Sequence, residues 1–266
     1  MKKSITKNYI YNLVYQILIL ILPLITTPYI SRVLGAEKIG IYSYTISIVT
    51  YFILFGSLGI AIYGQREIAY LQEDKERCSK TFWEIVILRF GTMAISMIIF
   101  YFTFARNGEY SIYYMILLLE MFANCLDISW FFQGLEEFKK TVTRNIIIKI
   151  ISIVCIFIFV KTQNDLIKYF WIYVVSTLLG NVSLCLYLPK YINKIKIKDL
   201  NIIKHLKPTI GLFIPQIAVQ IYTVLDKVMI GTIISDKSEV GYYEQSKKIV
   251  KMLVMVITSL GRVWMP

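Results

Sequence analysis

Ionisable and amide side chains stand inside runs of apolar residues at several places in this sequence, and their spacing limits what they can do. Glu120, Asn124 and Asp127 follow one another at steps of four and three, so on a helix they share one face. Arg89 lies in another apolar run, about 10 Å from its end at about 1.5 Å rise per residue. If the two runs are antiparallel neighbours, Arg89 and Asp127 sit at nearly the same depth. Such a pair is either a buried structural ion pair or part of a functional site. Gln216, Gln220, Thr223 and Lys227 repeat the pattern, with Asp226 beside Lys227. Adjacent residues differ by about 100° around a helix, so Asp226 and Lys227 each need their own partner or water. Glu244, Lys247, Lys248 and Lys251 crowd the start of a further run, and Arg32 ends the first. An ionised group deep in lipid costs several kcal/mol, so these residues face a bundle interior or a water-filled cavity. For 240 to 251 two readings stand: an interfacial helix with snorkelling lysines, or lysines looking into an aqueous, cationic cavity.

The elements that hold these residues are helices that cross a membrane. Of the 266 residues 57% are hydrophobic and 17% charged, and mean hydropathy is +0.61. That is more apolar surface than one aqueous core can bury. A crossing needs roughly 20 apolar residues. The expected fold is all-α, a polytopic transmembrane helical bundle with about eight spans: 9 to 31, 41 to 62, 82 to 104, 111 to 133, 142 to 160, 166 to 188, 209 to 234 and 240 to 266. Lys2, Lys3 and Lys7 precede a run too long for a signal peptide, with no clean cleavage site, so the first span is read as retained.

The net charge of +12 is placed for a membrane rather than for nucleic acid. Seventeen Lys and Arg fall at the N-terminus and in alternate connections, among them Arg66, Lys139, Lys140, Arg144 and Lys149, against six in the others. The orientation rule then puts the N-terminus in the cytoplasm. Cys78, Cys125, Cys155 and Cys185 show neither a zinc nor a disulfide pattern. His205 stands in a lysine-rich connection without metal-ligand spacing, and there is no P-loop or nucleophile elbow. No catalytic residues, no metal and no cofactor are expected, and the chain is not read as an enzyme.

An internal echo gives the domain organisation. Ile39-Gly40-Ile41-Tyr42 matches Val240-Gly241-Tyr242-Tyr243 at an offset of 201 residues, and the same shift lays span one on span seven. Six spans per unit makes the two units parallel, related by an axis along the membrane normal. Residues 1–200 are therefore expected to form a six-helix lobe and 201–266 the start of a second, truncated one. Asn8, Asn12 and Gln16 share one face of span one, as interhelical glue or a substrate path. Pro215 is a bend or a hinge, and Tyr42, Tyr44 and Tyr51 serve packing or sugar stacking.

Several stretches carry a resemblance: Pro28-Tyr29-Ile30-Ser31-Arg32-Val33-Leu34-Gly35, Gly64-Gln65-Arg66-Glu67-Ile68-Ala69, Leu126-Asp127-Ile128-Ser129-Trp130-Phe131-Phe132-Gln133-Gly134-Leu135-Glu136, and Leu225-Asp226-Lys227-Val228-Met229-Ile230-Gly231. In order and spacing, over essentially the whole chain, they resemble the bacterial polysaccharide repeat-unit flippases. These are the Wzx type, serving O-antigen or capsule, of the multidrug, oligosaccharidyl-lipid and polysaccharide exporter superfamily. The resemblance implies two six-helix lobes around a central cavity. It also implies movement of an undecaprenyl-pyrophosphate-linked oligosaccharide across the bacterial cytoplasmic membrane by alternating access. Lipid-linked oligosaccharide and membrane lipid, with other polysaccharide assembly proteins, are the implied partners, and no nucleic acid. On this reading Arg32, Lys227, Lys247, Lys248 and Lys251 neutralise the diphosphate, while Asp226, Glu120 and Asn124 contact hydroxyls or balance charge, and Arg89 and Asp127 are further candidates. A drug or cation antiporter of the same superfamily, coupled through Asp127 and Asp226, is the alternative, and an inactive gene fragment another. A sugar polymerase or glycosyltransferase lacks its large loop or acidic motif here.

Overall fold

The computed structural model describes the backbone of residues 5–193, 195 and 200–264, and the side chains of 22–193, 195, 200–251 and 254. Asn8, Asn12 and Gln16 lie outside the described side chains. Among the described residues the chain is helical throughout and has no strand. Its α-helices are α1 (Ile5–Ser57), α2 (Ile60–Leu71), α3 (Lys75–Phe100), α4 (Ser111–Cys125), α5 (Ser129–Gly134), α6 (Phe138–Phe159), α7 (Leu166–Cys185), α8 (Leu206–Ile233) and α9 (Ser238–Trp264).

Among the described residues six stretches are long and apolar enough to cross a membrane: Leu22–Leu71, Lys75–Ala105, Ser111–Gly134, Phe138–Phe159, Gln163–Lys190 and Ile203–Ile233. The difference from the eight expected spans has two sources. The end of span one and all of span two fall within a single stretch, Leu22–Leu71, and α1 is interrupted inside it at Gly35 (φ 76°, ψ 169°), a backbone that L side chains rarely adopt. Its 50 residues amount to about 75 Å of helix, more than twice the hydrocarbon thickness. The other source is α9, whose side chains past Lys251, Val254 apart, lie outside those described.

The two arms of α1 pack on different neighbours. Before the corner, Tyr29 donates its hydroxyl to the Val160 carbonyl at the end of α6 (2.7 Å). After it, Ser96 bonds the Phe52 carbonyl and Thr92 the Gly56 carbonyl, both at 2.6 Å, so the second arm runs antiparallel to α3. Within lipid there is little hydrophobic drive between helices, and close packing does the work. One buried cluster, with Leu34, Val49, Phe100, Leu117 and Phe170, joins α1, α3, α4 and α7. A second, with Ile60, Ile68, Phe82, Trp130 and Phe132, forms at the end where α2, α5 and the 186–205 connection meet. Two of the motif stretches pack on one another there: a Cβ on Gly64 would lie 2.4 Å from the Trp130 ring, and one on Gly134 2.7 Å from the Gln65 carbonyl. The outer faces of α3 and α6, with Ile95, Ile98, Ile99, Ile147, Ile151 and Ile158, remain exposed, as lipid-facing helices do.

Candidate functional site

The charged residues of α8 and α9 meet across an antiparallel helix pair. The Asp226 carboxylate accepts from the Tyr243 hydroxyl and pairs with Lys247, whose Nζ also donates to the Thr223 carbonyl at 2.9 Å. Lys227 Nζ lies 3.1 Å from Glu244, and Lys248 3.4 Å from the other oxygen of the same carboxylate. Asp226 and Lys227 therefore do have separate partners, both on α9. The lysines are not a bare cationic surface: two carboxylates hold three ammonium groups. Lys251 is exposed further along α9, and Arg32 is exposed on α1 just before the Gly35 corner. The turn into α9 is held by Asp236, whose Oδ1 accepts from the Ser238 N–H at 2.8 Å. That contact keeps its carboxyl below the ordinary carboxylate range.

Arg89 and Asp127 are brought together, but through the backbone. The Arg89 guanidinium, 5% exposed, donates Nη1 to the Asp127 carbonyl (2.7 Å) and Nη2 to the Asn124 carbonyl (2.6 Å). It satisfies the carbonyls released where α4 ends and α5 begins. The Asp127 carboxylate accepts from the Ser129 N–H at 2.9 Å, at the start of α5.

Glu120, one turn before Asn124, is 3% exposed. Asn124 Nδ2 donates to its Oε1 at 2.9 Å, and the hydroxyls of Tyr173 and Thr177 lie beside the carboxyl. Those two belong to a stripe on α7, Tyr169, Tyr173, Thr177 and Asn181, at four-residue steps along one face. At one end of the stripe Tyr169 packs on Tyr42, ring centroids 4.6 Å apart, and stands in the field of Glu244. At the other Asn181 bridges three helices, donating to the Ala123 carbonyl (2.6 Å) and accepting from Arg144 Nη1 (2.7 Å). Sequence reasoning missed this stripe; hydroxyl and amide residues recurring every fourth position in an apolar run were the available signal.

The stripe opens on a groove between α6 and α7. One part, about 300 Å³, is lined by Arg144, Lys149, Ser152, Tyr173 and Thr177. A second, about 630 Å³, continues through Arg144 to Lys139, Lys140 and Tyr187. The sequence reading used these basic residues only to orient the chain. A groove with guanidinium and ammonium groups at one end and hydroxyls along its wall has the donors for a phosphate and for sugar hydroxyls.

His205 stands in the connection before α8, and is buried there. It is 2% exposed, with Nε2 2.8 Å from Glu84 and Nδ1 2.7 Å from the Tyr63 hydroxyl. Glu84, fully buried, also takes the Asn201 N–H (2.7 Å) and Lys204 (2.7 Å), and so ties the connection into α8 down to α2 and α3. Among the described residues no group of His, Cys, Asp and Glu is arranged to hold a metal.

Comparison with known proteins agrees with the resemblance read from the motifs. The chain is 26% identical over 253 residues to a protein of Escherichia coli (strain K12) named "Putative O-antigen transporter", covering 93% of this chain and 61% of that one. A protein of the same name from Shigella dysenteriae is 25% identical over 214 residues, covering 79% and 54%. The chain thus spans somewhat over half the length of these curated relatives. No solved structure matches it. Residues 5–266, essentially the whole chain, match the polysaccharide biosynthesis protein family, and the chain is a multi-pass membrane protein belonging to that family.

Proposed function

We propose that this chain works as part of a flippase that carries undecaprenyl-pyrophosphate-linked oligosaccharide repeat units from the cytoplasmic to the outer leaflet by alternating access, with its N-terminus cytoplasmic. Membership of the family and the name of the relatives support the polysaccharide side of this reading. The observation that carries the rest is a continuous polar seam in an otherwise apolar bundle. It runs from the Lys227–Glu244 and Asp226–Lys247 pairs through Tyr169 and Tyr173 to Asn181, Arg144 and the α6–α7 groove.

The task needs such a seam. A diphosphate bearing sugars loses its hydration in a low-dielectric layer, and fixed guanidinium and ammonium groups replace it at lower cost. Arg144, Lys139 and Lys140 take the diphosphate at the groove, while Lys227, Lys247 and Lys248 exchange their carboxylate partners for it later in the cycle. The lipid tail stays among the apolar helix faces. Residues 1–200 form one lobe and 201–266 begin its repeat, a division supported by the reciprocal contact of Gly40 and Gly241. Replacing Asp226 or Lys227 by Ala in a strain whose surface polysaccharide depends on this gene is expected to make lipid-linked repeat units accumulate on the cytoplasmic side. Normal export by both variants contradicts the assignment.

A further inference from the structure

The Glu120 carboxyl is set apart from the other buried acids among the described residues. Glu84 is met by Lys204 and His205 and Asp165 by Lys168, and the half-buried Asp226 and Glu244 are met by Lys247 and Lys227. Glu120 is buried mid-helix in α4, and the groups that touch its carboxyl, Asn124, Tyr173 and Thr177, are all neutral. Its Oε1 accepts from Asn124, while Oε2 is buried without a partner in hydrogen-bonding geometry. Cations on the surrounding elements are directed elsewhere. Arg89 of α3 binds the carbonyls of 124 and 127, and Arg144 of α6 binds Asn181. Lys149 of α6 lines the same groove as Tyr173 and Thr177 and is not among the groups that touch the Glu120 carboxyl. On α1 the facing titratable group is Tyr42, and on α7 it is Tyr173, with Tyr169 beyond it toward Glu244 of α9.

A carboxylate ion is not sustained in such a place, whereas a carboxylic acid is: its O–H becomes a donor to a neighbouring hydroxyl oxygen. We propose that Glu120 is a proton-binding site, its carboxyl taking up and releasing one proton inside the membrane, with the hydroxyls of Tyr173, Tyr42 and Tyr169 as the row that connects it to Glu244. Uptake forms the Oε2–H bond from a proton delivered by water in the α6–α7 groove. Release leaves the ion, which stands only when a cation or water moves in beside it. Proton occupancy is thereby tied to the arrangement of α4, α7 and α9, the coupling an antiporter driven by protons needs. This rests on the transporter reading for its use, not for its detection.

The test is infrared difference spectroscopy of the chain in lipid nanodiscs between acid and alkaline pH. A protonated-carboxyl band present at neutral pH is expected in the wild type, with loss of that band in Glu120→Gln and a displaced band in Glu120→Asp. Asp127→Asn is expected to keep it unchanged. Absence of the band in the wild type, or its survival unchanged in both Glu120 variants, overturns the proposal. Bleaching of the band by sodium at constant pH overturns it in favour of a sodium site. Glu120→Asp keeps a carboxyl and serves where Glu120→Gln fails to fold. No saccharide lipid is present, so failure here leaves the flippase reading standing, and the reverse holds equally.

Discussion

Gly40 and Gly241 cross backbone to backbone. A Cβ on Gly40 would stand 1.6 Å from the Lys237 carbonyl, and one on Gly241 2.1 Å from the Ala36 carbonyl. Ala36 and Lys237 are separated by the same 201 positions as the two glycines, so the contact is reciprocal, as at a twofold axis. Gly40→Ala and Gly241→Ala are therefore expected to destabilise the chain by similar amounts, about 1–3 kcal/mol each. Gly91→Ala, where nothing lies within 4 Å of the added carbon, is expected to be neutral. Thermal unfolding of the purified chain in detergent checks all three, and an asymmetric result contradicts the twofold relation.

The two glycines of this contact were legible in four residues of sequence because small residues let two helix backbones come close. Other parts were not legible, for physical reasons. Depth along a helix placed Arg89 near Asp127 but did not say which oxygen a guanidinium would meet, and an unfinished helix end offers carbonyls as good as a carboxylate. His205 read only as a residue of a lysine-rich connection because its partners, Glu84 and Tyr63, lie 121 and 142 positions away. The pairing of Lys227 with Glu244 and of Asp226 with Lys247 was invisible for a related reason: spacing shows which residues share a face, not which face meets it.

Arg89→Met leaves the carbonyls of 124 and 127 buried without donors, about 1–3 kcal/mol for each. Asp127→Asn keeps an oxygen for the Ser129 N–H and is expected to cost under about 0.5 kcal/mol. Unfolding of the two variants separates this cap from an ion pair, in which both would lose equally.

Glu84→Ala releases the connection into α8. A hydrogen bond to a charged group contributes about 1.5–3 kcal/mol, so the Asn201 amide is expected to exchange its hydrogen roughly tenfold to a hundredfold faster. Hydrogen exchange read by mass spectrometry over residues 200–206 measures this. Unchanged exchange means the Glu84–His205–Tyr63 network does not hold the connection.

Lys227→Glu and Glu244→Lys are each expected to cost about 3 kcal/mol, since both leave like charges in a mostly buried place. The double reversal is expected to recover about 1–3 kcal/mol of coupling. Thermal unfolding of the four forms gives the cycle, and additive losses contradict a direct pair.

The measurement closest to the central claim is translocation in vesicles of defined composition. A flippase that contains this chain is reconstituted with a fluorescent oligosaccharide on a pyrophosphoryl prenol lipid, and a membrane-impermeant quencher reports how much label crosses between leaflets. The polar seam predicts crossing above protein-free vesicles, with at least a tenfold loss on replacing Arg144 by Gln or Lys227 by Ala. Crossing no faster than in protein-free vesicles, or undiminished in both variants, contradicts it.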